Sequence, residues 1–194
     1  MSRKLSPQMW ETLKAVWYVI SPSQAPDTGH AERIAGLTRE LGSAMGLSDA
    51  DIEGLEYAVL LHDIGQIKVR ETILKKPGRL SPEEYQEIQG HPIESERIVR
   101  MMPGLENAAQ WTRWHHEWWD GSGYPDRLAG RKIPLPARIL VVVDAWDAMQ
   151  SERPYRAAKS REQAIQELRL MAGIQFDPGV VNALHKIVSE DASL

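Results

Sequence analysis

Residues 136–149, PARILVVVDAWDAM, constrain the fold more than any other stretch. Proline suits the start of a helix, and the residues after it are apolar on most of a helical surface. Such a helix belongs at the centre of a bundle. Asp144 nevertheless lies in its middle, and Asp147 comes three residues later on the same face. Carboxylates on a buried helix are unfavourable unless a cation compensates them. The rest of the chain has to supply, or hold, that positive charge.

The flanking segments also read as helices. Ser6-Pro7 opens one with Trp10, Leu13, Trp17 and Ile20 at helical spacing. Residues 21–27 are a proline-containing loop, and Thr28 caps a helix with inner face His30, Ile34, Leu37 and Leu41. Ser48 caps a third, which ends in LLHDIG and so places His62-Asp63 at a buried C-terminus. Residues 67–80 are expected to be an exposed loop. Ser81-Pro82-Glu83-Glu84 is a capping box whose short helix delivers His91. Further helices are expected from about residue 92, from about 104, after Ser160 and after Asp177. No segment shows strand alternation and no repeat appears. The expectation is an all-α bundle of roughly eight or nine helices.

A net charge of −4 gives no general attraction to nucleic acid or to an anionic membrane. With no cysteine, disulfides and thiolate ligands are excluded. The N-terminus lacks a signal-peptide apolar run, and the longest apolar run is too short to span a bilayer. A soluble, cytoplasmic protein is expected.

Chemistry concentrates in residues 114–125, WHHEWWDGSGYP. Adjacent histidines normally diverge by about 100° on a helix, but His115 and His116 can converge at a frayed helix end. Trp111, Trp114, Trp118 and Trp119 could wall them, and the glycines allow a tight turn. Taken alone, the stretch also fits a helix end with two surface histidines. His62-Asp63 alone fits a structural hydrogen bond as well as a metal site. Arg127, Arg131 and Lys132 are either solvated or phosphate-facing, and His185, lacking acidic neighbours, is read as structural. The full set changes the balance. His30, His62, Asp63, His91, His115, His116 and Asp144 are too many ligands for one tetrahedral ion. They suit two metals about 3.5–4 Å apart sharing a carboxylate, with a bridging water acidified for attack on phosphorus. Without thiolates, iron or manganese fits the donors.

A helix histidine, His62-Asp63 and a later aspartate resemble the HD superfamily of metal-dependent phosphohydrolases. The segment HHE-x-WDGSGYP is similar to its HD-GYP subfamily, bacterial cyclic di-GMP phosphodiesterases. LKKPGRL at 74–80, His91-Pro92, Asp144-x-x-Asp147-Ala148 and Arg153-Pro154-Tyr155-Arg156 extend the resemblance across about residues 27–185. It implies a single domain over 1–194, with 1–26 an N-terminal helix and loop. It implies two divalent metals on those seven residues, with Asp63 bridging, and catalytic roles for Asp63, Gln66 and Asp147. Arg153 and Arg156 would hold substrate phosphate, and Tyr124 would shape the pocket. The expected activity opens cyclic di-GMP to pGpG and onward to GMP, with a signalling protein as a further partner. Two positions depart from the pattern. Gln66 stands where the family usually has lysine, and Pro26 stands where some members carry a third-metal glutamate. Gln66 leaves open a slow or inactive sensor, and base selectivity leaves open another substrate such as cyclic GMP-AMP.

Overall fold

The structure, a computed structural model, describes residues 7–20, 30–151 and 157–190; the side chains of 17–20, 30 and 190 lie outside that description. Its helices are α1 (Pro7–Ile20), α2 (His30–Ala44), α3 (Asp49–Leu61), the one-turn α4 (Glu71–Leu74) and α5 (Pro82–Gln89). They continue with α6 (His91–Arg100), α7 (Glu106–Arg113), α8 (Leu135–Gln150), α9 (Arg161–Leu170) and α10 (Pro178–Glu190). Nine of these ten have eight or more residues, and the described residues contain no strand, only an isolated bridge between Ala172 and Phe176. The all-helical expectation holds. No helix is long and apolar enough to cross a membrane among the described residues.

The local signals act as expected. Ser48 accepts the Asp51 amide at 3.2 Å, and Ser81 with Glu84 forms a reciprocal capping box. Ser160 with Gln163 forms a second one at the start of α9. Asp177 accepts the Gly179 amide at 2.7 Å and pairs with Arg138 of α8. Helix α8 is the centre. Ala137, Ile139, Leu140, Val142 and Val143 are fully buried, and α2, α3, α7, α9 and α10 pack around it. One expectation fails in part: residues 67–80 are not wholly looped. Ile64–Lys68 is a 3-10 turn and Glu71–Leu74 a helical turn, and the buried Val69 and Ile73 hold the segment against the protein.

Two places bring backbones into direct contact. A side chain at Gly65 would meet the His91 carbonyl at 2.1 Å, and one at Gly123 would meet the Trp118 amide nitrogen at 2.3 Å. Only glycine fits at either point. The first presses the end of α3 against the start of α6; the second folds the 121–125 turn back onto the histidine pair.

Candidate metal centre

Three helix ends meet below Asp144. His62 caps α3, His91 begins α6, and His115 comes just after the C-terminus of α7 in a turn. Each uses the same local device. Nδ1 of His62 donates to the Val59 carbonyl at 2.7 Å, that of His91 to Ile88 at 2.7 Å, and that of His115 to Thr112 at 2.6 Å. A carbonyl can only accept, so each Nδ1 carries a proton, and in the neutral ring each Nε2 presents a lone pair. The Nε2 atoms of His91 and His115 stand 3.1 Å apart, lone pair facing lone pair. That contact is repulsive without a proton or cation between them.

Asp63 lies among these nitrogens. Its Oδ1 is 3.2 Å from His91 Nε2 and 3.8 Å from His115 Nε2, while its Oδ2 is 3.6 Å from His62 Nε2. Asp144 closes the His62 side at 3.5 Å. The His116 ring lies 4.1 Å from that of His115 and 5.0 Å from that of His91. Two ligand groups result, His91–His115–His116 and His62–Asp63–His115, each with donor atoms within 4.8 Å of one another. Asp63 turns one oxygen toward each end of the cluster.

The electrostatics describe a site that needs one positive charge. Burial pushes His62 down, but Asp63 and Asp144 outweigh it and raise it to about 10. Burial would raise Asp63, yet His62 and the His91 contact hold it well below the usual carboxylate range. Burial, then the neighbouring imidazoles, drives His115 far below its ordinary value and His116 to about 4. Without a cation, a proton on His62 is thus favoured where a metal would sit, while His115 and His116 are held neutral. The donor set, all imidazole and carboxylate with carbonyl-fixed tautomers, fits a first-row divalent metal.

The 117–128 loop completes the site. Tyr124 stacks on His116 at 4.8 Å with an interplanar angle of 26°, and its amide donates to the His116 carbonyl at 3.0 Å. Two of the four tryptophans are turned to other partners. Trp114 donates to Asp126 at 2.8 Å, and Trp119 lies under the Arg138 guanidinium at 5.7 Å. Asp120 accepts the amide and hydroxyl of Ser122 at 2.8 and 2.7 Å, so it holds the turn.

Two residues that the sequence did not single out do much of the positioning. Glu117 is 1% exposed, and its oxygens accept the amides of Asp126 at 2.6 Å and Leu128 at 2.9 Å. A carboxylate directly after two histidines in an aromatic stretch was the available signal. Ser95 donates to the His62 carbonyl at 2.6 Å and accepts the Gly65 amide at 2.9 Å, tying α6 to the His-Asp segment. A serine among ordinary helix residues carries no such signal.

The remaining expected residues separate. Gln66 lies half-buried in the 3-10 turn after Asp63. Asp147 belongs to neither ligand group and lines a cleft with Arg33 and Arg161. Arg131 and Lys132 are exposed, and Arg127 lines a cleft beside Tyr124. The side chain of His30, at the first residue of α2, lies outside the description, as do Pro26, Thr28, Arg153 and Arg156.

Fold and cluster together define a helical bundle built to gather histidines and aspartates at three helix ends. The chain belongs to the HD domain family, whose model matches residues 17–180, and within it to the HD-GYP group. It is 39% identical over 163 residues to a cyclic di-GMP phosphodiesterase of Thermotoga maritima, covering 83% of this chain and 44% of that protein. It is 37% identical over 171 residues to the 3'3'-cGAMP-specific phosphodiesterase 3 of Vibrio cholerae, covering 88% and 37%. It is 36% identical over 180 residues to the cyclic di-GMP phosphodiesterase response regulator RpfG of Xanthomonas campestris, covering 90% and 47%. The chain therefore spans less than half the length of these relatives. Among solved structures, a cyclic GMP-AMP specific phosphodiesterase of V. cholerae superposes with a TM-score of 0.74 at 21% identity, covering 92% of this chain and 48% of that one.

Proposed function

We propose that the chain is a metal-dependent phosphodiesterase that hydrolyses cyclic di-GMP to pGpG and onward to GMP. The convergence of His62, Asp63, His91, His115, His116 and Asp144 carries the reading, with support from relatives named for cyclic dinucleotide hydrolysis. These six residues would hold two divalent ions, iron or manganese, with Asp63 between them and His30 as a further ligand. When bound, such ions supply an acidified water and neutralise charge on the phosphoryl oxygens. The protein does the rest. Carbonyl-anchored imidazoles keep their lone pairs inward, Asp63 and Asp144 lie at the cluster's accessible side, and Tyr124 closes the His116 side. Arg153 and Arg156 would grip substrate phosphate with guanidinium forks. Asp147 would act from the far end of the Asp144 motif.

The test is turnover of cyclic di-GMP by metal-loaded protein, with products identified by chromatography. Formation of pGpG is expected; no linear product at saturating metal would overturn the reading.

Gln66 favours a second reading, a slow or inactive domain that senses the dinucleotide or docks a signalling partner. An amide in the turn after Asp63 can donate a hydrogen bond but supplies no charge to a phosphoryl transition state. Gln66→Lys separates the two. Under the enzyme reading turnover rises by roughly tenfold at unchanged metal content, less than the 10²–10³ attached to a full preorganised donor. A variant that binds metal normally yet is no faster favours the sensor.

A further inference from the structure

Beside the histidine cluster a cleft of about 600 Å³ opens between α5 and residues 121–127, within the range of small-ligand sites. It shares Tyr124 with the cluster: the ring that stacks on His116 also lines the cleft. Burial pushes the Tyr124 phenol up, as expected for a ring packed between the cluster and the cleft.

Helix α5 is sorted by charge. Glu84 pairs with Lys76 at 2.6 Å, Glu87 with Arg70 at 2.9 Å, and Glu83 accepts the Ser81 hydroxyl at 2.7 Å. None of these acids lines the cleft. The helix presents Gln86 and Gln89 there instead, and Tyr85, one turn before Gln89 on the same helical face, is 50% exposed at the edge of α5. Across from them, Arg127 is the only charged residue on the lining among the described residues. No residue of α5 is buried, so these side chains do not serve the core.

We propose that this cleft is a purine-base subsite for the cyclic dinucleotide, read by the Gln86 and Gln89 amides with Tyr85 as a stacking face. The identity of the ligand rests on the phosphodiesterase reading above. A glutamine amide offers a donor and an acceptor side by side, which matches the N6/N7 edge of adenine, and a guanidinium matches O6/N7 of guanine. The cleft carries both kinds of group. It therefore selects purines but accepts either one, so the chain takes cyclic GMP-AMP as well as cyclic di-GMP. Aromatic faces tolerate any base and add affinity by stacking.

The test uses metal-loaded full chain and calorimetry with a non-hydrolysable phosphorothioate analogue of cyclic di-GMP, and bis(p-nitrophenyl) phosphate as a probe without a purine. In the Gln86→Ala/Gln89→Ala double variant the analogue's affinity falls by on the order of tenfold or more. The fall for bis(p-nitrophenyl) phosphate is at least several-fold smaller. Tyr85→Ala behaves in the same sense through lost stacking, by on the order of tenfold. Because α5 is exposed, these variants should fold, which unchanged metal content verifies. An unaltered analogue affinity, or an equal fall for both probes, overturns the subsite. Analogue binding that depends on Gln86 and Gln89 in a protein that hydrolyses no dinucleotide supports the subsite and sinks the enzyme reading instead.

Discussion

His62, His91 and His115 are aimed by backbone carbonyls three residues upstream, whereas His116, the other described histidine of the cluster, leans on a loop tyrosine. The helix ends of His62 and His91 are locked together by Gly65 and Ser95, and α7, which brings in His115, packs on α6. His116 belongs to a loop held by Glu117, Asp126 and the Gly123 contact. The two halves of the cluster derive their order from different sources. One half is fixed by elements that also build the core, and the other by a carboxylate that spends its oxygens on loop amides.

The strongest way to erase the distinction is to remove the residue between the halves. Asp63→Ala should take metal content from the proposed two ions per chain, at about one per ligand group, to a small fraction of one, because one Asp63 oxygen faces His91 and His115 and the other faces His62. Elemental analysis after anaerobic reconstitution with iron or manganese measures it; two retained ions would mean that Asp63 bridges nothing.

Glu117→Ala should break the loop half alone. It strands the part-buried amides of Asp126 and Leu128, at up to roughly 1–3 kcal/mol each when unpaired. Thermal unfolding should shift by several degrees. About one ion should be lost while the His62 side keeps its own. Loss of both ions together, or of neither, would show that the halves are not separately held.

Ser95→Ala is the counterpart on the anchored half. It leaves the Gly65 amide unpaired, for about 1–3 kcal/mol, yet the carbonyl anchors remain. Melting temperature should fall with metal stoichiometry intact. A loss of metal comparable to that in Glu117→Ala would put the two halves on the same footing.

The smallest effect is in pH. Without metal His62 is raised from 6.5 to about 10, so its protonation stabilises the metal-free fold fully below about 6.5 and progressively less as pH rises through about 10. Under the proposed function, metal takes the place of that proton. The melting temperature of metal-free protein should therefore drop between pH 7 and 10 relative to the metal-loaded form, with metal affinity rising over the same window. Parallel melting curves for the two forms would contradict it.

Much of this was legible in the sequence. Ser48, Ser81 and Ser160 each announced a helix start through chemistry confined to a few residues, and α8 announced its central place through its apolar surface. The convergence of the histidines came from ligand-type residues recurring at helix ends. Ser95 and Gly65 were not legible, because their contact joins residues thirty apart through a side chain that any exposed helix also tolerates. The charge sorting of α5 was hidden likewise: its glutamates find Lys76 and Arg70 only once the 67–80 segment folds beneath them.

The carbonyl anchors bear on how such a centre withstands mutational drift. Val59, Ile88 and Thr112 orient three imidazoles through an atom that all twenty amino acids possess. Replacing any of these side chains leaves the acceptor in place, provided the helix end keeps its course. The tautomers of His62, His91 and His115 are thus inherited through chain geometry rather than through the identity of a partner residue. Descendants can exchange most of the surrounding shell and still present the same three lone pairs.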